Sequence, residues 1–305
     1  MQVAKEFYIQ VGEPMIREEF PFFADRIAVG LVGHGSECFG YDDQNSQDHD
    51  AGVGFCLWVT EEDYRRIGKD LAAAYRALPR PAQTDRTTQE GGDYRGVQTV
   101  EGFYRPYIGT LPSTNLEWLR QDTRYLAEAT NGEVWRDDLG EFSRIRKTLL
   151  AMPEDVRLQK MAAHTAFAAQ SGQYNFARCV AHGELIAASH ALNQFAYHIA
   201  QLASLLAGRY APYYKWLWRS IREFELGRAL YPLLTRLTTR GIDPDKVADT
   251  VESVDAIAAL VITELRRQEL SFAPNDYLEP HAYQIRRHIQ DPAIKELHVM
   301  TGVSQ

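Results

Sequence analysis

The spacing of hydrophobic positions changes partway along the chain, and the change divides it. From Met1 to Phe20 apolar residues recur at the three-and-four spacing of an amphipathic helix. Arg26 to Val32 is then a β-branched run that reads as a buried strand, and Gly52 to Val59 is a second apolar run of strand length. Helical spacing returns over Glu61 to Leu78. Pro79 to Gly96 is polar and holds Pro79, Pro81, Gly91, Gly92 and Gly96, the composition of a loop; Val97 to Tyr104 follows as a third strand. Strands separated by helices predict an α/β layer over residues 1–150.

Beyond Pro153 the pattern is helical throughout. Leu192, Phe195, Ala196, Ile199, Leu202, Ala203 and Leu206 form one apolar stripe that Gly208 ends. A further helix is expected near Pro212, whose fixed φ suits a first helical turn. Asp243 followed by Pro244 reads as an N-cap and first helical residue, launching a striped helix through Ala256, Leu260 and Ile262 to about Leu265. Residues 151–305 therefore read as an all-helical second domain. The chain shows no internal repeat and no low-complexity tract.

Composition narrows the classes. With 305 residues, 45% hydrophobic and 24% charged, the chain has ample material for a core, which excludes disordered and fibrous readings. Thirty-three Lys and Arg against 41 Asp and Glu leave a net charge of -8, which argues against a general grip on nucleic acid or an acidic membrane. Cys38, Cys56 and Cys179 are odd in number and never form C-x-x-C, so neither a disulfide framework nor a thiolate zinc site is expected. His182, His190 and His198 recur at intervals of eight, unlike a close zinc pair, and no P-C-x-x-C follows His182-Gly183-Glu184. No apolar run approaches the ~20 residues that span a bilayer, and charges interleave Met1 to Phe22. These features read as a cytoplasmic protein without a signal peptide.

The stretch that carries chemistry is Val32-Gly33-His34-Gly35-Ser36-Glu37-Cys38-Phe39-Gly40, then Tyr41 to Gln47, then Asp48-His49-Asp50. A strand runs into a tight Gly-Gly-Ser turn, a short helix can follow, and two aspartates stand at the entry to the next strand. In an extended segment Asp48 and Asp50 project to one side while His49 points away. Two carboxylates on one face suit one or two hard cations, and magnesium commonly takes such a pair together with phosphate oxygens. A Gly-Ser turn opening a helix supplies N–H groups and a hydroxyl to phosphate. The two halves fit a nucleoside triphosphate and two Mg2+ ions in an in-line displacement at the α-phosphorus.

Gly35-Ser36, eleven residues, then Asp48-His49-Asp50 resembles the signature of the DNA polymerase beta-like nucleotidyltransferase superfamily. Gly35-Ser36-Glu37-Cys38-Phe39-Gly40-Tyr41-Asp42, Ser46-x-Asp48-His49-Asp50 and Tyr210-Ala211-Pro212-Tyr213-Tyr214-Lys215-Trp216 are similar to the branch of bacterial proteins grouped as domain of unknown function 4037. The resemblance implies a nucleotidyltransferase-like N-terminal domain with a small mixed sheet, followed by an all-α helical bundle. It further implies that Asp48 and Asp50 bind the catalytic magnesium ions and that Gly35 and Ser36 meet the triphosphate. A third carboxylate is expected on the next central strand, and Glu101 is the acid within Val97 to Tyr104. In nucleotidyltransferases with helical C-terminal domains a basic residue can reach the triphosphate, a role for which Lys215 is suited. Tyr213 or Tyr214 could stack on a base; packing of the aromatic segment is the competing reading. Arg178 and Asn175 are weaker substrate candidates against an ordinary surface role.

The function so implied is magnesium-dependent transfer of a nucleoside monophosphate, by default AMP from ATP on general abundance, with release of pyrophosphate. The acceptor is open among a small molecule, a protein and a tRNA end, and a homodimer is compatible. Two other classes stay open: a non-catalytic nucleotide-binding or toxin-antitoxin/defence component of the same fold, and a metal-dependent glycosyltransferase using Asp48-His49-Asp50. The last has no use for the Gly-Ser spacing.

Overall fold

Four short runs of residues pair into one mixed sheet: β1 (Ala28–Leu31), β2 (Cys56–Val59), β3 (Gly96–Thr99) and β4 (Glu133–Arg136), in the order β3-β2-β1-β4. β1 runs antiparallel to both β2 and β4, and β2 runs parallel to β3. The structure is a computed structural model that describes residues 1–42, 53–79 and 95–303. It divides into two units, residues 1–111 with 125–151 and residues 112–124 with 152–305. The first unit is the α/β layer and the second is helical. Residues 112–124, on the first-domain side of a boundary at 150, belong to the helical unit.

The sheet is covered on both faces because its strands alternate buried side chains on each. Val29, Leu57 and Val59 join Tyr8, Ile16, Phe55, Leu71 and Tyr75 in one core. On the opposite face Trp58 stacks on Phe142 at 3.9 Å between ring centroids and meets Phe103 edge-on. Helix α1 (Gln2–Phe7) runs through a π-helical turn, Tyr8–Gly12, into α2 (Glu13–Glu19), so the expected single helix is broken in pitch at its middle. Gly12 lies in that turn, and a Cβ there would stand 2.4 Å from the Phe55 ring. Helix α3 (Glu61–Ala77) is launched by Thr60, whose hydroxyl accepts the Asp63 N–H at 3.1 Å.

The third strand is shorter than its apolar run. Only Gly96–Thr99 is extended, and helix α4 (Val100–Ile108) takes the rest. The reason is a cap: the Thr99 hydroxyl accepts the Gly102 N–H at 2.9 Å, and Val100, Phe103, Tyr104 and Ile108 then fall on one buried helical face. Reading Val97 to Tyr104 as a strand is therefore corrected. Helix α5 (Glu141–Leu150) completes the unit.

In the helical unit α6 (Glu154–Ala168) and α7 (Leu185–Leu206) form the centre. The stripe from Leu192 to Leu206 is buried as its spacing predicts, and Gly208, at φ +68°, follows the end of α7. Next come α8 (Tyr214–Ser220), α9 (Glu225–Thr239), α10 (Val247–Arg267) and α11 (Leu278–Arg286). Asp243 caps as expected, accepting the Asp245 N–H at 3.1 Å, but a single 3-10 turn precedes α10. Polar side chains of α6 hold neighbouring backbone. Gln159 Nε2 donates to the carbonyls of His298, Val299 and Thr301, and Lys160 Nζ to those of Leu119, Gln121 and Gly302. Among the described residues no helix is long and apolar enough to cross a membrane.

His164 on α6 and His198 on α7 share a hydrogen bond between their Nδ1 atoms at 2.9 Å. Burial lowers His198 from 6.5 to about 4. Burial, then His198 and Lys160, hold His164 well below the histidine range. The unfolded chain protonates these rings near pH 6.5 and the native chain only at lower pH. Between those values the unfolded state binds more protons, so stability falls as pH drops. For His198 alone the loss approaches ~3 kcal/mol on crossing from pH 6.5 to 4. Urea unfolding of wild type and His198→Asn across that range should show a shallower pH dependence in the variant; equal slopes would mean that the pair is not held neutral.

Candidate functional site

At the end of β1 the chain leaves the sheet through Val32-Gly33-His34-Gly35 and enters a 3-10 turn over Ser36–Phe39. Gly33 has φ +119°, and Gly35 has φ +115° and ψ +148°, a region open to glycine and strained for other residues. The two glycines serve different needs. A Cβ on Gly33 would stand 2.8 Å from the Tyr107 hydroxyl, whereas one on Gly35 would meet nothing within 4 Å among the described residues. Gly33 is hemmed in by packing; among the described residues Gly35 is required by its backbone angle and not by a close neighbour.

Asn131 fixes the turn. The Gly33 N–H donates to Asn131 Oδ1 at 2.8 Å, and Asn131 Nδ2 donates back to the Gly33 carbonyl at 2.8 Å. The next residue, Gly132, has φ +63°, and a Cβ there would stand 2.0 Å from the Leu31 carbonyl oxygen. Asn131 can thus reach Gly33 because Gly132 lets its own backbone press on the end of β1.

Charged groups gather around the turn. Ser36 Oγ donates to Asp42 Oδ1 at 2.9 Å. Glu37 pairs with Arg95, the residue that leads into β3. Burial pushes the Glu37 carboxyl up, and Arg95 works against that shift. Arg95 also lies over the approach to β2, since a Cβ on Gly54 would stand 3.0 Å from its Cδ. His34 Nδ1 is 3.5 Å from the buried Glu128 carboxylate. Cys38 is buried, its thiol pushed well up by that burial, and its Sγ lies 3.5 Å from the His34 carbonyl oxygen. A thiol in that state is no nucleophile.

Register brings the pieces to one end of the sheet. Gly30 pairs with Cys56, so the end of β1 lies beside the start of β2, and Cys56 pairs with Gly96, so β3 starts there too. The segment holding Asp48 and Asp50 leaves from and returns to the end that carries Gly33, Gly35 and Ser36. Asp48, His49 and Asp50 themselves lie outside the described residues, as does most of the loop expected over Pro79 to Gly96. Among the described residues no group of three or more His, Cys, Asp or Glu could hold a metal ion. Glu37 is committed to Arg95 and Asp42 to Ser36.

Glu101 is not on a strand. It stands in the first turn of α4, 62% exposed, and pairs with Arg105 at 2.7 Å, one helical turn on. That removes the strand register on which its choice as third carboxylate rested, and β3 itself, Gly96-Val97-Gln98-Thr99, carries no acid. Lys215 and Tyr214 belong to the helical unit, in the first turn of α8. Both are exposed, while Trp216 and Leu217 of the same turn are buried. The Tyr214 ring lies against Tyr213 at 4.3 Å. Sequence reasoning missed Asn131 and Arg95. Asn131-Gly132 is a turn signal in its own right, but nothing in the sequence points it at Gly33, 98 residues away.

A family model described as domain of unknown function (DUF4037) matches residues 118–217. That stretch includes Tyr210 to Trp216 and excludes Gly35 to Asp50. A solved structure, that of a nucleotidyltransferase-like protein from Exiguobacterium sibiricum 255-15, is similar over 90% of this chain and 87% of that chain at 13% identity and a TM-score of 0.38. That score is too low to equate the two folds. No curated protein matches the chain. Over residues 118–217 the chain is thus similar to the domain of unknown function 4037, the branch that the motif at Tyr210 to Trp216 also resembles.

Proposed function

We propose that the protein is a magnesium-dependent nucleotidyltransferase that moves a nucleoside monophosphate, by default AMP from ATP, onto an acceptor with release of pyrophosphate. The observation that carries this reading is the Gly33-to-Ser36 turn, held open at the end of a central strand. The segment bearing Asp48 and Asp50 connects that strand to its neighbour at the same end. Asp48 and Asp50 would hold magnesium, which supplies charge neutralisation at the transferring phosphorus. Gly35 keeps side-chain bulk away from the approach, so phosphate oxygens can come close to backbone. The Ser36 hydroxyl, held by Asp42, adds a polar group beside it. From the helical unit, Lys215 is assigned to the triphosphate and Tyr214 to the base. The acceptor is a small molecule, a protein or a tRNA end. The free thiols of Cys38, Cys56 and Cys179 suit a reducing, cytoplasmic setting.

A second reading keeps nucleotide binding without turnover, and the strand β3 that carries no acid favours it. Turnover separates the two. Asp48→Asn and Asp50→Asn preserve shape and remove charge, so each should lower nucleotidyl transfer by orders of magnitude at unchanged melting temperature. Near-wild-type rates in both variants would sink the two-aspartate assignment, and a wild type that binds ATP yet transfers nothing to any acceptor class would establish the second reading.

The turn gives a separate test. Asn131→Ala removes two hydrogen bonds to Gly33, a loss of about 2 kcal/mol of stability. Gly35→Ala forces a side chain into the φ +115° conformation at a cost of about 1–3 kcal/mol, with no steric clash among the described residues. Both should lose transfer activity in buffers where more than nine-tenths of the protein is folded, checked by circular dichroism beside the assay. Full activity in either variant would show that the turn geometry is structural only. Lys215→Ala should raise the nucleotide dissociation constant roughly ten- to a hundredfold, with Lys215→Arg recovering part of the loss. Unchanged nucleotide binding in Lys215→Ala would remove that residue from the site.

A further inference from the structure

We propose that the helical unit carries a binding site of its own, for a small molecule bearing an oxyanion, in the cavity where α6, α7, residues 119–123 and residues 302–303 meet. The cavity holds about 340 Å³. That is the lower end of the range for small-molecule pockets, ~300–1,000 Å³. At ~30 Å³ per water it has room for far more than one or two bridging waters.

Its wall has donors that the protein does not use. Gln201 is 3% exposed and lines the cavity. Its Oε1 accepts the Thr123 hydroxyl at 3.2 Å, and its Nε2 has no acceptor among the described residues. His164, also 3% exposed, spends Nδ1 on His198, which leaves Nε2 as the nitrogen available to the cavity. Two residues that are almost wholly buried, Gln201 and His164, thus line the same space with a nitrogen each that the protein does not engage there.

The charge has the matching sign. Lys160 lines the cavity at 2% exposure, with its three protons given to the carbonyls of Leu119, Gln121 and Gly302. Those bonds satisfy its donors and leave its charge without a bonded anion. Asp122, the acid that acts on it and itself part of the cavity wall, is engaged by Arg124 at 3.2 Å. Arg120 is exposed at the cavity, and its guanidinium makes no hydrogen bond or ion pair among the described residues. An amide, a guanidinium fork and a buried ammonium charge together call for an acceptor-rich anion. Carboxylate and phosphate share that chemistry. The site lies wholly in the helical unit and does not depend on nucleotidyl transfer.

The test uses the full chain without magnesium, titrated separately with inorganic phosphate and with succinate and followed by melting temperature and calorimetry. At least one probe should raise the melting temperature saturably, and which one responds assigns phosphate or carboxylate. Gln201→Leu and Arg120→Ala should each weaken binding about tenfold or more. Arg120→Ala, at an exposed position, should melt as wild type when no probe is present. Ring-nitrogen resonances of His164, assigned by their loss in His164→Gln, should move on binding, and Ser36→Ala should bind the probe as wild type does. The proposal falls if neither probe binds, if binding survives both Gln201→Leu and Arg120→Ala, or if Ser36→Ala abolishes it.

Discussion

The first unit depends on one exchange of hydrogen bonds, that between the Gly33 backbone and the Asn131 amide. β1 is central in the sheet, paired on both edges, and buried at all four positions. A chain leaving such a strand must turn at once, with its N–H and C=O groups satisfied, because burial leaves little water to serve them. Glycine supplies the angles at Gly33 and Gly35, and it brings the largest conformational entropy of any residue to be paid back on folding. Asn131 offsets part of that cost by satisfying both polar groups of Gly33 with a single side chain. The open backbone at Gly35 follows from it, as does the short Ser36–Phe39 turn that faces Asp42 and Arg95.

The helical unit solves the same problem with different chemistry. Where the first unit uses an amide on a glycine, the second uses long polar side chains on carbonyls. Gln159 and Lys160 bind three carbonyls each, and Arg286 Nη2 binds those of Ile294, Lys295 and Leu297. Irregular backbone near the C-terminal end is thereby tied to helices that pack through Ala162, Ala163, Ala166, Ala196, Ala200 and Ala203, all nearly inaccessible. Small residues at that seam let helices approach closely, and the polar anchors stand beside them.

What the sequence made legible was local. The stripe on α7 announces itself because seven apolar residues keep helical spacing, and the Gly-Ser turn because two glycines in three residues cannot be a regular strand. Glu101 shows the limit. Thr99 followed three residues on by Gly102 is a helix start, yet the apolar run around it reads equally well as strand; the choice was made by burial of Phe103 and Tyr104 against Phe142 and Trp58. Asn131, Arg95 and the carbonyl set of Lys160 were illegible for a stronger reason. Each joins positions dozens of residues apart, and no local pattern encodes which distant backbone a polar side chain will meet.

Lys160 and His164 stand one turn apart on α6, and that spacing decides the charge of the helical unit's cavity. A buried ammonium raises the cost of a second positive charge nearby, and Lys160 is among the causes that hold His164 low. The ring is therefore neutral, able to give or to accept a proton in a hydrogen bond, and of the two residues the lysine alone carries charge. Burial also lowers Lys160, to about 8, so even that charge is held at some expense. An anion beside it would favour the charged form, raising this value, whereas a neutral occupant would leave it low. An anion in the cavity would meet the positive charges of Lys160 and Arg120, while Asp122, the acid on the same wall, is engaged by Arg124.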